Sequence, residues 1–333
     1  MMAITLAEAK VGMANKVDQQ VVDEFRRSSL LLDNLIFDNA ISPGTGGSTL
    51  TYGYIQLSSP RTAGTRDINS EYTAAEAKRT EKTAKAIVMG GSFQIDRVIQ
   101  DTSGAVNELN FQMEQAIKAT SNYFHNLVVN GTSASSGTGY VAKTFDGLKA
   151  IANASGGNKT DATVSLAGES ETASNYQAFL DEVDAWLSTM DGRPTMLLMN
   201  TKMLNKMRSC ARRAGYYDRT KDDFGRYVES YNGIPLMDTG YYYNGTATTE
   251  IISTSAPSAS TFGTTDIYAV NIALDGFHGI SPTGSKVINT YLPNFDAPGA
   301  VKTGEVELVA GVVAKNTKKI AMLAGVPIIP KTA

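Results

Sequence analysis

The most informative stretch of this chain runs from Thr51 to Gln100 and reads TYGYIQLSSPRTAGTRDINSEYTAAEAKRTEKTAKAIVMGGSFQIDRVIQ. At its start Leu50, Tyr52 and Tyr54 alternate with small residues, which is the period-2 pattern of a half-buried strand. Apolar residues between positions 87 and 95 repeat this alternation at the other end. The stretch is therefore expected to run out from the body of the protein as one strand and to return as another.

Charged side chains dominate the middle of this stretch: Arg61, Arg66, Asp67, Glu71, Glu76, Lys78, Arg79, Glu81, Lys82 and Lys85. Among them, Ile68 and Tyr72 are the only large apolar residues. Such a ribbon cannot build its own core, and an isolated two-stranded hairpin is marginal in water. A disordered loop is the alternative. The alternation at both ends favours an extended arm, and we expect its ten charged residues to contact a neighbouring subunit.

Three glycines are candidates for a hinge of this arm. Gly53, Gly90 and Gly91 are expected where the ribbon leaves the body. Glycine adopts backbone conformations that other residues avoid, so these positions could let the ribbon change its angle between different subunit environments.

The flanking segments are predicted to be helical. Residues 5–36 carry apolar positions near 3.6 spacing, and a Pro/Gly-rich connector at 42–48 ends this helical arm. A second helix from about Thr102 to Val129 has the strongest amphipathic pattern in the chain and would be roughly 40 Å long. Asn130-Gly131 can end it.

The second half of the sequence indicates a compact α/β unit. A helix is predicted over 176–190, a short buried strand over 195–199, and a third helix from Thr201 to just before Gly215, capped by Asn200 or Thr201. Further strands are expected near 231–236 and 266–272, and Val306–Ala314 is interpreted as the last one. No repeat is visible, so the fold class is mixed α+β.

Composition limits the functional classes. The chain has 333 residues, 42% of them hydrophobic, a formal charge of −3 and one cysteine, Cys210. This charge provides no basic surplus for tight general binding to nucleic acid, and one cysteine cannot form an intramolecular disulfide. No signal sequence or apolar run of membrane-spanning length is visible, so we expect synthesis in the cytoplasm and no membrane partner.

The search for catalytic chemistry gives no site. Residues 279–286 approximate a phosphate-binding loop, but Ser285 separates the second glycine from Lys286, which therefore cannot take the usual position. His125 and His278 are the only histidines and lie in no metal-ligand pattern, so His125 is expected to serve helix packing. The basic side of the third helix is interpreted as a solvated or interface face. We expect no catalytic, cofactor-binding or metal-binding residues.

Several local strings, in their order along the chain, resemble a known family. They are Thr144–Leu148 after the long helix, Tyr231–Pro235, Asp266–Val270 and Gly276–Gly279. With the order of elements, they make the chain resemble a major capsid protein of a tailed bacteriophage with the Hong Kong 97 fold, and the resemblance covers essentially the whole chain.

The resemblance implies a division of the chain into five parts. Residues 1–50 would be the N-terminal arm, 51–100 the E-loop (an extended β-hairpin), 101–145 a peripheral domain with the long spine helix, 146–275 an α/β axial domain, and 276–333 the return strands of the peripheral domain.

The resemblance also implies a structural and non-enzymatic function. The subunit would assemble with copies of itself through pentamers and hexamers into an icosahedral head that encloses double-stranded DNA. Implied partners are a scaffolding protein, a portal and, as a further option, a decoration protein, with only weak non-specific contact to packaged DNA. The implied location is the virion, assembled in the host cytoplasm. An encapsulin-like nanocompartment shell and, less favoured, an unrelated enzyme with a concave pocket remain as alternatives.

Overall fold

A computed structural model describes the chain over residues 31, 34–39, 50–102, 108–133, 144–215, 218–221, 227–282 and 288–332. Most of the predicted N-terminal arm lies outside these residues, as do the connector at 42–48, the first turn of the predicted long helix and residues 283–286 of the stretch that approximates a phosphate-binding loop. No helix within the described ranges is long and apolar enough to span a bilayer.

The described helices are α1 (Arg97–Thr102), α2 (Glu108–Asn130), α3 (Leu148–Asn153), α4 (Gly168–Leu187) and α5 (Thr201–Ala214). The strands are β1 (Phe37–Asp38), β2 (Thr51–Ser59), β3 (Lys78–Lys85), β4 (Ile87–Asp96), β5 (Lys159–Asp161), β6 (Met196–Met199), β7 (Asp218–Lys221), β8 (Tyr227–Tyr231), β9 (Ile234–Asp238), β10 (Tyr241–Tyr243), β11 (Thr248–Glu250), β12 (Gly263–Val270), β13 (Phe277–Ile280), β14 (Ile288–Tyr291), β15 (Val301–Ala314) and β16 (Ile320–Ile329).

A five-stranded sheet lies against the long helix α2. Strand β15 is its centre, and it pairs antiparallel with β4, β13 and β14, while β1 adds to β13 in parallel. Phe124 and Leu127 of α2 share a buried core with Met89 of β4 and Leu308 of β15. The amphipathic stripe of α2 is thus the surface that covers this sheet.

The stripe of α2 is not buried along its whole length. Thr120, Phe124 and Leu127 are buried, whereas Leu109 and Met113, nearer the N-terminal end, stay partly accessible. The described helix has 23 residues, which gives a length of about 34 Å. It ends at Asn130, next to Gly131, as the sequence predicts.

A seven-stranded sheet forms the second part of the fold, in the order β5-β16-β12-β6-β9-β8-β7. Helices α4 and α5 pack together against one face, where Phe179, Trp186 and Met203 join Leu197 and Leu323 in a buried core. Side chains on the other face, including those of Leu198 and Met322, belong to the same hydrophobic core as α2. One hydrophobic core therefore lies between the two sheets.

Helix α5 shows how local sequence sets its own limits. The side chain of Asn200 accepts a hydrogen bond from the backbone N–H of Met203 at 2.8 Å, and Gly215 follows the helix in the left-handed conformation with φ 78°. Both groups satisfy backbone atoms that a helix end leaves unpaired. The predicted start and end of this helix are confirmed.

Strand β16 corrects the expectation that β15 is the last strand. Its sequence, IAMLAGVPII, does not alternate, because seven of its ten residues are buried and both faces contact the core. It lies in the seven-stranded sheet between β5 and β12, so residues 276–333 do not return as a whole to the sheet that packs on the spine helix.

Candidate intersubunit surfaces

Strands β2 and β3 form a two-stranded hairpin that joins neither large sheet, referred to below as the hairpin (residues 51–85). Their register places Tyr52 opposite Ala84 and Leu57 opposite Arg79. Residues 60–77 form its tip. Nine residues of β2 at about 3.3 Å each make an arm roughly 30 Å long.

One face of the hairpin is attached to the body only near its root. The hydroxyl group of Tyr52 donates to Oδ2 of Asp38 at 3.1 Å, and that of Tyr54 donates to a backbone carbonyl at 3.4 Å. Nε2 of Gln56 donates to the next carbonyl, at 3.2 Å. These two carbonyls belong to residues 314–315, at the end of β15. Beyond Gln56 no hydrogen bond joins the described hairpin to the described residues of the body, so these residues do not hold its outer part.

The root of the hairpin is closely packed. The backbone N–H of Ala86 donates to the carbonyl of Leu50 at 2.9 Å and closes the two strands. Leu50 has a φ of 56°, a conformation that is uncommon for a residue with a branched side chain. A Cβ at Gly311 would lie 2.5 Å from the carbonyl oxygen of Lys85, so β15 needs glycine where it passes the root. The hairpin therefore leaves the body at Leu50 and Ala86.

This position of the junction corrects the place expected for two of the hinge glycines. Gly90 and Gly91 lie inside β4, paired with Glu307 and Val306 of β15. A Cβ at Gly90 would be 2.0 Å from the carbonyl oxygen of Val306, whereas one at Gly91 would meet nothing within 4 Å. Gly90 is explained by the close approach of two strands. The expectation failed because β4 was interpreted as the return strand of the ribbon, which is in fact β3.

Gly53 does lie in the hairpin. It belongs to β2, opposite Thr83, with the side chain of Glu81 at 3.4 Å from the position of a Cβ. Its role as a hinge stays a prediction.

All ten charged residues that the sequence singles out are exposed: Arg61, Arg66, Asp67, Glu71, Glu76, Lys78, Arg79, Glu81, Lys82 and Lys85. Over the part of the chain that the structure describes, none of them takes part in a salt bridge within 4.0 Å. Unpaired charges at high dielectric cost little when solvated. Their contact with a neighbouring subunit stays a prediction.

The hairpin also exposes large apolar side chains. The exposed fractions are 70% for Ile55, 60% for Leu57, 90% for Ile68 and 65% for Tyr72. Ile55 and Leu57 were missed, although the alternation past Tyr54 contains the signal: they occupy the face opposite Tyr52 and Tyr54. Apolar groups exposed on a segment without a core are typical of an interaction surface.

Both histidines are buried and pack against neighbouring side chains. Burial lowers the pKa of His125, on α2, to about 4. His278, at 0% exposure, meets the ring of Tyr52 edge-on at 6.0 Å between centroids. Burial, and next the charge of Lys315, lower its pKa below the usual value. Both imidazoles are therefore neutral near pH 7, and His278 packs at the root of the hairpin.

Two basic residues and the cysteine of α5 interact within the subunit. On α5, Lys202 pairs with Glu250 at 3.0 Å and Arg208 pairs with Glu229. Burial raises the pKa of the Cys210 thiol to about 11, which keeps it protonated and unreactive. Within the described ranges, no group of three or more His, Cys, Asp or Glu side chains is placed to hold a metal ion.

Comparison with known proteins identifies the fold. No family model and no curated protein sequence matches the chain. Among solved structures, the holo-SrpI encapsulin complex from Synechococcus elongatus matches with a TM-score of 0.60 at 14% identity, over 100% of this chain and 99% of that one. A structure of Mycobacterium phage Bobi matches with a TM-score of 0.58 at 12% identity, over 100% of both chains. The capsid of a native GTA particle matches with a TM-score of 0.57 at 11% identity, over 97% of this chain and 100% of that one.

These matches run from end to end of the chain. The chain has the α+β fold of these solved structures, and the predicted Hong Kong 97-like fold is confirmed.

Proposed function

We propose that this chain is the major capsid subunit of a tailed bacteriophage, which assembles through pentamers and hexamers into a closed icosahedral head around double-stranded DNA. One observation carries the proposal: on a fold shared with a capsid, the hairpin presents unpaired charges and exposed apolar side chains that no described residue of its own subunit covers. Burial of these apolar side chains against another chain would be energetically favourable.

The physical form of the hairpin suits a strap across an adjacent subunit. It is attached at one end by Tyr52, Tyr54 and Gln56, and it extends roughly 30 Å without a core. Ile55 and Leu57 supply apolar area, and the flanking Glu81 and Arg79 supply charge of both signs. A mixed surface of this kind is typical of protein interfaces, which combine an apolar centre with a polar rim.

Head-to-tail contact between identical chains explains how such straps could close a shell. A heterologous interface forms a ring when its rotation closes, and rings of five and six can tile a closed surface. Several modest patches together reach the roughly 1,200–2,000 Å² of a stable interface. The N-terminal arm, residues 1–50, is proposed as a second strap of this kind.

A non-enzymatic role is part of the proposal. The similar solved structures include a capsid and an encapsulin, and on α5 Lys202 and Arg208 form ion pairs within the subunit. The proposed partners are other copies of the chain, a scaffolding protein, a portal and a decoration protein. With a net charge of −3, contact with packaged DNA would be weak and non-specific, and the proposed location is the virion.

A nanocompartment shell is the second candidate, because an encapsulin is among the structures with the same fold. Such a shell would differ from a phage head in what it contains and not in how its subunits contact each other. Particles isolated from their natural source would contain double-stranded DNA under the first proposal and folded cargo protein under the second.

Negative-stain electron microscopy of the purified chain tests the proposal most directly. Closed shells or rings of five or six subunits are expected, together with a large sedimentation coefficient. A compact monomer that stays dispersed at high protein concentration and binds a small molecule would contradict it.

A further inference from the structure

The tip of the hairpin is a preformed apolar knob. A turn closes at residues 67–70, where the backbone N–H of Ser70 donates to the carbonyl of Asp67 at 3.2 Å. Asn69 takes a φ of 67°, which fits the third position of a tight turn and leaves Ile68 at its corner, 90% exposed. The guanidinium group of Arg66 lies 5.3 Å from the centroid of the Tyr72 ring.

Further hydrogen bonds within the turn favour this conformation. Nη1 of Arg66 donates to the carbonyls of Asp67 at 3.3 Å and of Ser70 at 3.2 Å. The Ser70 hydroxyl donates to the Asp67 carbonyl at 2.9 Å. A knob already held in one conformation loses little conformational entropy when it binds.

A cavity lies at the other end of the same hairpin, between its root and helix α3. Its volume is about 370 Å³, within the roughly 300–1,000 Å³ typical of sites that receive a ligand group. Phe145, Ile151 and Val312 contribute apolar wall, and Lys82 and Lys85 of β3 lie at its side. Asp146 also lines it, but its carboxylate already accepts hydrogen bonds from Ser133.

The charges of the hairpin are divided between these two ends. Residues 60–77 carry two arginines against three carboxylates, a net charge of −1. Residues 78–85 carry four basic side chains against one glutamate, a net charge of +3. The knob is thus acidic where the cavity is basic, with Asp67 and Glu71 beside Ile68 matching Lys82 and Lys85.

We propose that Ile68 of one subunit inserts into the root cavity of a neighbouring copy, with Asp67 and Glu71 of the tip facing Lys82 and Lys85. The inference rests on the proposed assembly of identical subunits and names the surface that the hairpin contacts. An arm roughly 30 Å long cannot bring its own tip to its own root, so the contact is between chains. It joins two different patches and is therefore heterologous, the kind of contact that closes rings.

A disulfide test measures this contact directly. Ile68→Cys and Ala154→Cys are combined with Cys210→Ala, and Ala154 is chosen because it is exposed and lines the cavity. A disulfide needs Cα atoms within about 7 Å, a distance that the two positions cannot reach in one chain. On oxidation of assembled particles, a ladder of covalently linked dimers up to hexamers is expected on a non-reducing gel.

The matched control replaces Ala154→Cys by Tyr243→Cys, an exposed position that does not line the cavity. It is expected to give no ladder. Particles that form normally but show no ladder with the Ile68/Ala154 pair, or an equal ladder with the control, would overturn the inference while the proposed function stands. Failure of the unmodified chain to assemble would instead overturn the proposed function, and this inference with it.

An independent variant tests the energetics. Ile68→Asp is expected to raise the subunit concentration at which assembly begins by about tenfold or more, because burial of the side chain is lost. Ile68→Leu is expected to leave it nearly unchanged. Since Ile68 is 90% exposed, both variants should fold like the parent chain. Equal assembly by Ile68→Asp and the parent would contradict the inference.

Discussion

The hairpin and the seven-stranded sheet differ in how they treat large apolar side chains: the sheet buries them and the hairpin exposes them. In the sheet, Leu197 and Leu323 are 0% exposed, whereas Ile55 and Ile68 of the hairpin are 70% and 90% exposed. The sheet obtains its stability from apolar area removed from water within one subunit. The hairpin keeps comparable side chains in water, and under the proposed function another subunit would cover them. Folding and assembly would then depend on different parts of the molecule.

This separation has a consequence for how errors in a shell are corrected. Because the buried cores lie within one subunit, we expect a wrongly placed subunit to be able to leave and keep its fold. The proposed hairpin contacts would be small patches, so each one could dissociate. A protein whose core was itself shared between subunits would unfold on leaving.

The largest effect is expected from truncating the core. Leu323→Ala, in the middle of the seven-stranded sheet, should lower the free energy of unfolding by about 2–5 kcal/mol. The matched change in the hairpin, Ile68→Ala, should alter it by less than about 0.5 kcal/mol, because that side chain is already exposed. Denaturant unfolding of the dispersed subunit measures both, and equal losses would show that the hairpin belongs to the folding unit.

A smaller effect on folding is expected at the paired glycines of β4. Gly90→Val should destabilise the subunit by about 1–3 kcal/mol, because its Cβ would lie 2.0 Å from the carbonyl oxygen of Val306. Gly91→Val, which meets nothing within 4 Å, should change stability little. The comparison uses thermal unfolding of the two variants. If both variants fold normally and only change the size of the assembled particles, a hinge at these positions regains support.

The smallest effect on folding is expected from the hairpin charges. Raising the ionic strength from 0.01 M to 1 M shortens the screening length from about 30 Å to 3 Å. Assembly, followed by light scattering, should weaken over this range, while the free energy of unfolding should change by less than about 0.5 kcal/mol. Lys82→Gln with Lys85→Gln should reduce the dependence of assembly on salt. Unfolding that is as sensitive to salt as assembly would erase the distinction between the two regions.

Local signals predicted both ends of α5 and the end of α2, for physical reasons. Asn200 and Gly215 satisfy backbone groups that have no partner within the helix. The start and end of α5 are therefore determined by residues next to the helix. The end of α2 at Asn130 follows the same rule. The amphipathic stripe of α2 was also correctly located, since helical spacing is a local property.

Strand pairing was predicted less well, because a strand's partner is distant in sequence. The residues of β4 do alternate, but the alternation does not say that the partner is β15 and not β2. Strand β3 was hidden because its eight residues are almost all polar and exposed. Strand β16 was hidden for the opposite reason, since it is buried on both faces.

The sequence alone was sufficient to predict the α+β class, the long helix, and an extended charged arm without a core. These properties follow from spacing and composition within short windows. The tertiary structure was needed to find that the arm is β2 with β3, that Gly90 is confined between paired strands, and that an acidic tip and a basic cavity lie at opposite ends of one hairpin. Such facts depend on which distant residues come together, and packing of the whole chain decides that.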